Sequence, residues 1–163
     1  RPETEYGISK SEAEDFLLKE SGIQNLSIVR TSMLYGYDMP TRDNFFTFLD
    51  NSMKKLKEVE IYANVSNRPT HVEDLSKFIL MLAEKQKTGV FHAVSEDYVD
   101  RYSLSKMFCD AHGYSKDLLL PVEQPKARNM PTHLNLKPSQ EFVQKIKNPL
   151  SIGIKNCLKK LEA

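Results

Sequence analysis

The sequence has no tryptophan, two cysteines and six glycines, and no apolar run approaches the roughly 18 residues that a membrane span needs. The glycines are scattered along the chain, so the closely spaced Gly-rich turn that binds a nucleotide phosphate is not among its 163 residues. Two cysteines, Cys109 and Cys157, are too few for a disulfide framework and indicate buried thiols in a reducing compartment. We therefore expect a cytoplasmic protein with no membrane partner.

A strong charge of either sign is also absent. Lysine and arginine number 23 against 22 aspartate and glutamate residues, and the resulting net charge of +1 argues against a nucleic-acid partner. Cys109 and His112 lie three residues apart, as two metal ligands could, but no second pair follows, so we expect no metal. A chain of 163 residues, of which 40% are hydrophobic, can form a domain with a core.

The segment Tyr6-Gly7-Ile8-Ser9-Lys10 places a phenol and an ammonium four residues apart. In a helix both groups would lie on one face. A phenol loses its proton at about pH 10, and a neighbouring cation favours the charged form, so such a pair can pass a proton to or from a carbonyl oxygen. Tyr102 and Lys106 have the same spacing, however, and the spacing alone therefore does not identify a site.

The surroundings of the two pairs differ. Around the first pair, the pattern predicts a helix over residues 7–21 that ends at Gly22. The apolar stripe of this helix is formed by Ala13, Phe16 and Leu17. A strand over residues 26–30 follows and continues into residues 31–36. No strand of the IVRTS type, as in residues 28–32, follows the second pair, which we assign to a helix surface. The first pair is therefore the candidate site.

The rest of the chain alternates between helical and extended patterns. Helices are expected over residues 44–57, 102–112, 139–147 and 149–161, and strands over residues 59–62, 89–94 and 118–122. Residues 64–67 are expected to form a turn. Thr70 and Glu73 form a capping-box pattern, which predicts a further helix start. The aromatic stripe of residues 44–57 is interpreted as core.

Four segments of the sequence carry a resemblance to a known family. YGISKSEAE over residues 6–14 is followed by IVRTSMLYG over residues 28–36, and then by RPTHVEDL over residues 68–75 and GVFHA over residues 89–93. This order of segments resembles the extended short-chain dehydrogenase/reductase superfamily and, within it, is most similar to the dTDP-4-dehydrorhamnose reductase family. The resemblance extends over residues 2–161.

The resemblance implies an α/β fold: the C-terminal part of an NAD(P)-binding Rossmann-like fold together with its small substrate-binding lobe. Residues 1–40 would be the remaining part of the Rossmann-like domain, with the tyrosine helix. Residues 41–163 would be mainly the substrate-binding lobe, with residues 68–95 returning to the Rossmann sheet. The cofactor-binding N-terminal half would be missing, so we expect this piece alone to be catalytically silent. The resemblance also allows a homodimer.

The resemblance further implies an NAD(P)H-dependent reduction of a nucleotide-activated 4-keto-6-deoxy sugar. Tyr6 would donate a proton to the carbonyl oxygen, and Lys10 would hold the ribose of NADP or NAD and stabilise the phenolate. Thr31 and Ser32 would contact the nicotinamide end of the cofactor. Arg128, in a basic loop containing proline, would contact the nucleotide-sugar substrate, since a guanidinium fork suits a diphosphate.

The family commonly has a tryptophan where this chain has Met33. The aromatic surface for the sugar would then be altered or supplied by Tyr35 or Tyr37, and the sugar could differ from the rhamnose precursor. Two other functions remain open on the same resemblance. One is a non-enzymatic regulatory protein, as in the regulatory subunit of methionine adenosyltransferase, and the other is a nucleotide-sugar epimerase, which uses the same tyrosine and lysine.

Overall fold

A computed structural model describes residues 2, 4–20, 22–36, 44–125, 130–145 and 150–158. The helices are α1 (Glu5–Lys19), α2 (Phe45–Lys54), α3 (Val72–Glu84), α4 (Arg101–His112), α5 (Gln140–Lys145) and α6 (Leu150–Asn156). The strands are β1 (Ser27–Thr31), β2 (Leu34–Tyr35), β3 (Val59–Tyr62), β4 (Ser66–Asn67), β5 (Thr70–His71), β6 (Gly89–Ala93), β7 (Val99–Asp100) and β8 (Leu119–Val122). A short 3-10 helix, Lys116–Leu118, precedes β8. The predicted alternation of helices and strands is confirmed.

Side chains just outside the helices fix where they begin. The Thr4 hydroxyl accepts a hydrogen bond from the Gly7 N–H at the start of α1, and the Asp100 carboxylate accepts one from the Ser103 N–H at the start of α4. Such caps satisfy N–H groups that have no partner inside the helix. The left-handed residue Gly113 (φ 74°) ends α4, because its N–H returns to the Cys109 carbonyl.

The start of α3 differs from the prediction. The capping residue is His71, whose Nδ1 accepts a hydrogen bond from the Glu73 N–H at 3.3 Å. Thr70 does not cap the helix, because its hydroxyl donates to the Ala93 carbonyl at 3.0 Å. The expected turn over residues 64–67 is also only partly correct, since Ser66 and Asn67 form β4.

Parallel strand pairs dominate the described residues. β1 pairs with β6, and its register places Arg30 opposite His92 and Thr31 opposite Ala93. The parallel pairs β2 with β5 and β3 with β8 follow, whereas β4 pairs with β7 in the antiparallel direction. Parallel pairing requires long crossovers, and the connection from β1 to its partner β6 includes α2 and α3.

The larger hydrophobic cluster lies between α2, α4, α6 and the pair β3 and β8. Phe46 and Phe108 have no exposed surface, and their rings stack with centroids 5.2 Å apart. Phe46 of the aromatic stripe is therefore core, as expected, whereas Phe48 is 45% exposed. The buried Asp50 carboxylate is satisfied by the Tyr114 hydroxyl at 2.6 Å and by Lys54 Nζ at 2.6 Å.

A second cluster joins α3 and α5 to one face of β6. It consists of Phe78, Met81, Leu82, Phe91, Ala93 and Phe142. Phe78 makes edge-to-face contacts with Phe91 and Phe142. The two clusters thus correspond to two groups of elements, one around the β1 and β6 pair and one around β3 and β8. The chain division at residues 40 and 41 remains a prediction.

Helix α1 differs from the other long helices because none of its residues is buried. The predicted stripe does not reach a core, since Phe16 is 55% exposed, and so is the neighbouring Leu18 at 51%. Among the described residues, this helix therefore presents an apolar surface to solvent. No helix among the described residues is long and apolar enough to cross a membrane.

Candidate functional site

The candidate pair lies in the first two turns of α1. Tyr6 is 73% exposed, and Lys10 Nζ lies over its ring, 5.4 Å from the centroid. The helix cap at Thr4 and the four-residue spacing place both side chains on one face. The phenol is thus open to a ligand and has a cation beside it, which is the arrangement that the sequence predicts.

The second pair has the same local geometry in a different place. Lys106 Nζ lies 4.7 Å from the ring centroid of Tyr102. Both residues belong to α4, and Tyr102 is half-buried against the larger hydrophobic cluster rather than fully on the surface. Cation–ring contact therefore does not separate the two pairs. They differ in burial, since Tyr6 is 73% exposed and Tyr102 packs partly against the core.

Thr31 is the last residue of β1 and Ser32 follows it, so both lie at the carboxyl end of the strand, where ligands of open parallel sheets bind. Thr31 is exposed. The Ser32 hydroxyl oxygen is buried and has no hydrogen-bond partner among the described residues. Leaving a buried polar group unpaired costs about 1–3 kcal/mol, so this oxygen is a natural point of contact for a ligand.

A second buried oxygen lies close by and was not anticipated from the sequence. Asn67 is 3% exposed, and its Oδ1 also has no hydrogen-bond partner within the described ranges. Its Nδ2 lies 3.9 Å from the sulfur of Met33, the residue that follows Ser32 in the chain. The residues that carry the two unsatisfied oxygens, Ser32 and Asn67, are therefore both neighbours of Met33. The residue types alone gave no signal for this, because the two positions are far apart in the chain.

Tyr35 lies in the core instead of facing open space. It is 5% exposed, and its ring makes edge-to-face contacts with Phe46 and His71. Burial, with the nearby Asp74 adding to it, raises the pKa of the Tyr35 phenol. The described structure gives Tyr35 a packing role, and its predicted contact with the sugar remains a prediction.

The arginine that is expected to contact the nucleotide-sugar substrate is outside the described part of the chain. Arg128 lies outside the described residues, as does Tyr37. Another arginine of the resembling segments, Arg68, is described, and it holds loops together. Its Nε donates to Asn135 Oδ1 at 2.9 Å, its Nη1 donates to the carbonyl oxygens of Ser95 and Glu96, and its guanidinium lies over the Tyr98 ring.

A cavity of about 420 Å³ opens between α2 and β3. Three aromatic side chains line it, together with Glu60 and Arg101: Phe45, Phe48 and Tyr62. The Arg101 guanidinium lies 5.7 Å from the centroid of the Phe45 ring. Flat rings and a cation suit a planar, electron-rich ligand such as a nucleobase. The sequence analysis interpreted Phe45 and Phe48 as core and so missed this cavity.

The remaining nucleophilic and ligating groups have structural roles. Cys109 and Cys157 are free and buried, as predicted, and burial raises the pKa of both thiols. His112 Nε2 donates to the Ile154 carbonyl at 3.0 Å. His92, predicted to be a hydrogen-bonded strand residue, approaches the Lys137 carbonyl at 3.0 Å through Nδ1. Across the described ranges, no cluster of three or more His, Cys, Asp or Glu residues could hold a metal ion.

Comparison with known proteins adds a family and a fold. The model of a family described as the RmlD substrate binding domain matches residues 1–162. No curated protein matches the chain in sequence.

Solved structures share the fold at low identity. The NADP complex of dTDP-4-dehydrorhamnose reductase from Bacillus anthracis has a TM-score of 0.81 and 23% identity, over 96% of this chain and 55% of that one. A dTDP-4-dehydrorhamnose reductase from Clostridium acetobutylicum has a TM-score of 0.76 and 20% identity, over 96% and 55%. A UDP-glucuronic acid 4-epimerase from Bacillus cereus, bound to NAD and a fluorinated UDP-sugar, has a TM-score of 0.78 and 19% identity, over 96% and 52%.

These similarities confirm the predicted fold class, which is the Rossmann-like fold of extended short-chain dehydrogenases/reductases. The chain spans about half the length of the structures it resembles. The similarity to both reductases and an epimerase shows that the fold by itself does not select one of the two reactions.

Proposed function

Because the chain belongs to the family of the RmlD substrate binding domain, we propose that it is the substrate-binding part of an NAD(P)H-dependent reductase. The substrate would be a nucleotide-activated 4-keto-6-deoxy sugar, and a cofactor-binding half would complete the enzyme. The observation that carries this proposal is the exposed Tyr6 phenol with the Lys10 ammonium over its ring. We also propose the cytoplasmic location that the sequence analysis expects.

Tyr6 would be the proton donor for the sugar carbonyl. Its exposure leaves the hydroxyl free to donate a hydrogen bond to the carbonyl oxygen, and proton transfer to that oxygen completes the alcohol. Lys10 would stabilise the phenolate that remains, because an ammonium close to the ring favours the charged form. NADPH or NADH, when bound, supplies the hydride that reduces the carbonyl carbon.

The cofactor would meet this chain at Lys10, Thr31 and Ser32. The unsatisfied Ser32 hydroxyl fits a carboxamide or ribose hydroxyl, which could donate or accept the hydrogen bond that it lacks among the described residues. The Lys10 ammonium can donate to ribose oxygens. These groups support a cofactor site that this chain shares with the proposed cofactor-binding half.

The nucleobase of the substrate would enter the aromatic cavity between α2 and β3. Phe48 is 45% exposed although it is a large apolar residue, and it lines this cavity with Phe45 and Tyr62. Stacking on such rings is favourable for any base because every base has a π face. The predicted contact of Arg128 with the diphosphate stays a prediction, because this residue lies outside the described ranges.

The test is an NAD(P)H oxidation assay on the protein that contains both this chain and a cofactor-binding half, with a 4-keto-6-deoxy nucleotide sugar as substrate. We expect Tyr6→Phe to lower kcat by about 10²- to 10⁴-fold, since it removes a general acid. We expect Phe48→Ala to raise KM and to leave kcat nearly unchanged. Tyr102→Phe, in the second tyrosine–lysine pair, is the matched control and should leave kcat unchanged.

Net consumption of NAD(P)H distinguishes a reductase from an epimerase, which returns the hydride to its substrate. Turnover without net consumption would replace the reductase by an epimerase. If the wild-type protein binds the sugar and turns nothing over, a regulatory role gains support. Turnover that survives Tyr6→Phe undiminished would contradict the role assigned to this residue.

A further inference from the structure

The attachment of α1 to the rest of the molecule is unusual for a helix with a candidate active site. None of its residues is buried, so hydrophobic contact among the described residues does little to hold it in place. One ion pair does connect it to the sheet. Glu14 of α1 meets Arg30 of β1, and the two residues are 16 positions apart in the chain.

The ion pair has the bidentate geometry that fixes both partners. Arg30 Nε lies 3.0 Å from each carboxylate oxygen of Glu14, and Arg30 Nη2 lies 2.5 Å from Oε2. Two parallel N–H donors on one carboxylate define its orientation as well as its distance. The hydrogen bond from Arg30 also lowers the pKa of the Glu14 carboxyl, so this residue is charged at neutral pH.

Arg30 is held from its other side by the neighbouring strand. His92 of β6 lies opposite Arg30 in the parallel register, and its Nε2 is 3.5 Å from Arg30 Nη1. The Nδ1 of the same ring donates to the Lys137 carbonyl, which leaves Nε2 as the acceptor in the neutral ring. The guanidinium therefore occupies a defined place between α1 and β6.

The spacing along the two elements connects this ion pair to the candidate site. Tyr6, Lys10 and Glu14 follow one another at four-residue intervals and share one face of α1. The seven residues between Lys19 and Ser27 allow only a short return, so α1 and β1 run in opposite directions. Four helical residues rise about 6 Å, and two strand residues advance about 6.6 Å. With Glu14 held at Arg30, Lys10 therefore stands level with Ser32.

We propose that Glu14 and Arg30 are positioning residues for the Tyr6 and Lys10 pair. Their ion pair sets both the rotation of α1 about its axis and its position along β1. It thereby places Lys10 beside the end of β1, where Thr31 and Ser32 are found, and Tyr6 one turn further on. The inference rests on the proposed function for the meaning of the site, but the contact itself is independent of any activity.

The test compares Glu14→Gln and Arg30→Gln with Asp15→Asn in the protein that contains this chain and the cofactor-binding half. Asp15 is the matched control, because it forms an ion pair with Lys19 on the same helix at 2.7 Å and, within the described ranges, forms none with the sheet. Two quantities are measured: kcat and KM for NAD(P)H oxidation, and hydrogen exchange of the α1 amides. The charge-swapped double variant, Glu14→Arg with Arg30→Glu, tests whether the pairing itself matters.

We expect each of the two single variants to lower kcat by about 10- to 100-fold, since a displacement of about 1 Å at a reacting group costs this much. The sugar KM should stay within about twofold, because neither residue contacts the cavity assigned to the nucleotide. Amide exchange in α1 should accelerate, Asp15→Asn should change neither quantity, and the double variant should recover part of the loss.

Two results would overturn the proposal: single variants that match Asp15→Asn in both measurements, or a double variant no better than the singles. A wild-type protein without oxidation activity would refute the proposed function instead. In that case hydrogen exchange of the α1 amides alone tests whether the ion pair holds α1 in place. An unchanged exchange rate in Glu14→Gln would reject this role.

Discussion

Gly153→Ala tests the packing between α6 and β2. Gly153 is buried within α6, and a Cβ atom added there would lie 2.2 Å from the Tyr35 hydroxyl oxygen and 3.0 Å from Cζ of the same ring. No real Cβ approaches another atom so closely, so either the helix or the ring must move. Tyr35 has little freedom to move, since Phe46 and His71 pack against its ring.

The magnitude follows from two opposing effects. Inserting a methyl group into a well-packed core costs about 1–3 kcal/mol. Alanine is about 1 kcal/mol more favourable than glycine inside a helix. The net loss in the free energy of unfolding is therefore up to about 2 kcal/mol. In a Tyr35→Phe background the 2.2 Å contact disappears, although Cζ of the ring would still lie 3.0 Å from the new Cβ, so the same substitution should cost less.

The assay is urea unfolding of the four proteins of this double-mutant cycle, followed by far-UV circular dichroism. Ser151→Ala, at an exposed position of α6, is the control for helix propensity and should change stability by less than about 0.5 kcal/mol. The coupling between the two positions is the decisive quantity, and we expect at least about 1 kcal/mol. An equal effect of Gly153→Ala in both backgrounds would show that the hydroxyl contact does not limit packing.

Two further predictions concern the site and its support. Ser32→Ala should not lower stability, because the buried hydroxyl that it removes has no hydrogen-bond partner among the described residues. The same change should weaken NAD(P)H binding about threefold to tenfold; titration of nicotinamide fluorescence measures the affinity, and unchanged affinity would exclude the contact. Burial lowers the pKa of His71, so the unfolded chain binds this proton more readily, and stability should fall as the pH drops below about 6.5. His71→Asn, whose side-chain oxygen can still accept from the Glu73 N–H, should flatten the dependence of the unfolding free energy on pH, and an unaltered pH profile would assign the effect to another group.

The elements that the sequence predicts well are those whose pattern is local. Helix α4 and the strands β3, β6 and β8 lie within a few residues of their expected positions, because hydrophobic periodicity and flanking glycines or prolines set them. The tyrosine and lysine of α1 also share a face as expected, since helical geometry alone requires it. The free and buried state of both cysteines follows from their number and from the low polarity of a thiol.

The elements that it predicts poorly depend on contacts between distant positions. The Thr70 hydroxyl could have capped α3, but the Ala93 carbonyl, 23 residues away, takes its hydrogen bond. Tyr35 was named as a candidate aromatic surface for the sugar, yet it lies in the core with residues of α2 and α6. Phe48 has the spacing of a core residue, yet it lines a cavity. In each case the environment of the side chain depends on residues far away in the sequence, which no local pattern specifies.

The sequence by itself indicated the alternation of helices and strands through local periodicity. The order of its segments, YGISKSEAE before IVRTSMLYG, carried the resemblance that implied the fold class and singled out Tyr6 as the candidate proton donor. Only the tertiary structure showed that the buried oxygens of Ser32 and Asn67 have no hydrogen-bond partner among the described residues, and that Arg30 holds Glu14. The physical reason is that hydrogen bonds and ion pairs form between groups that folding brings within about 3 Å. Which groups become partners depends on how strands align and helices pack, and a single stretch of sequence does not specify this.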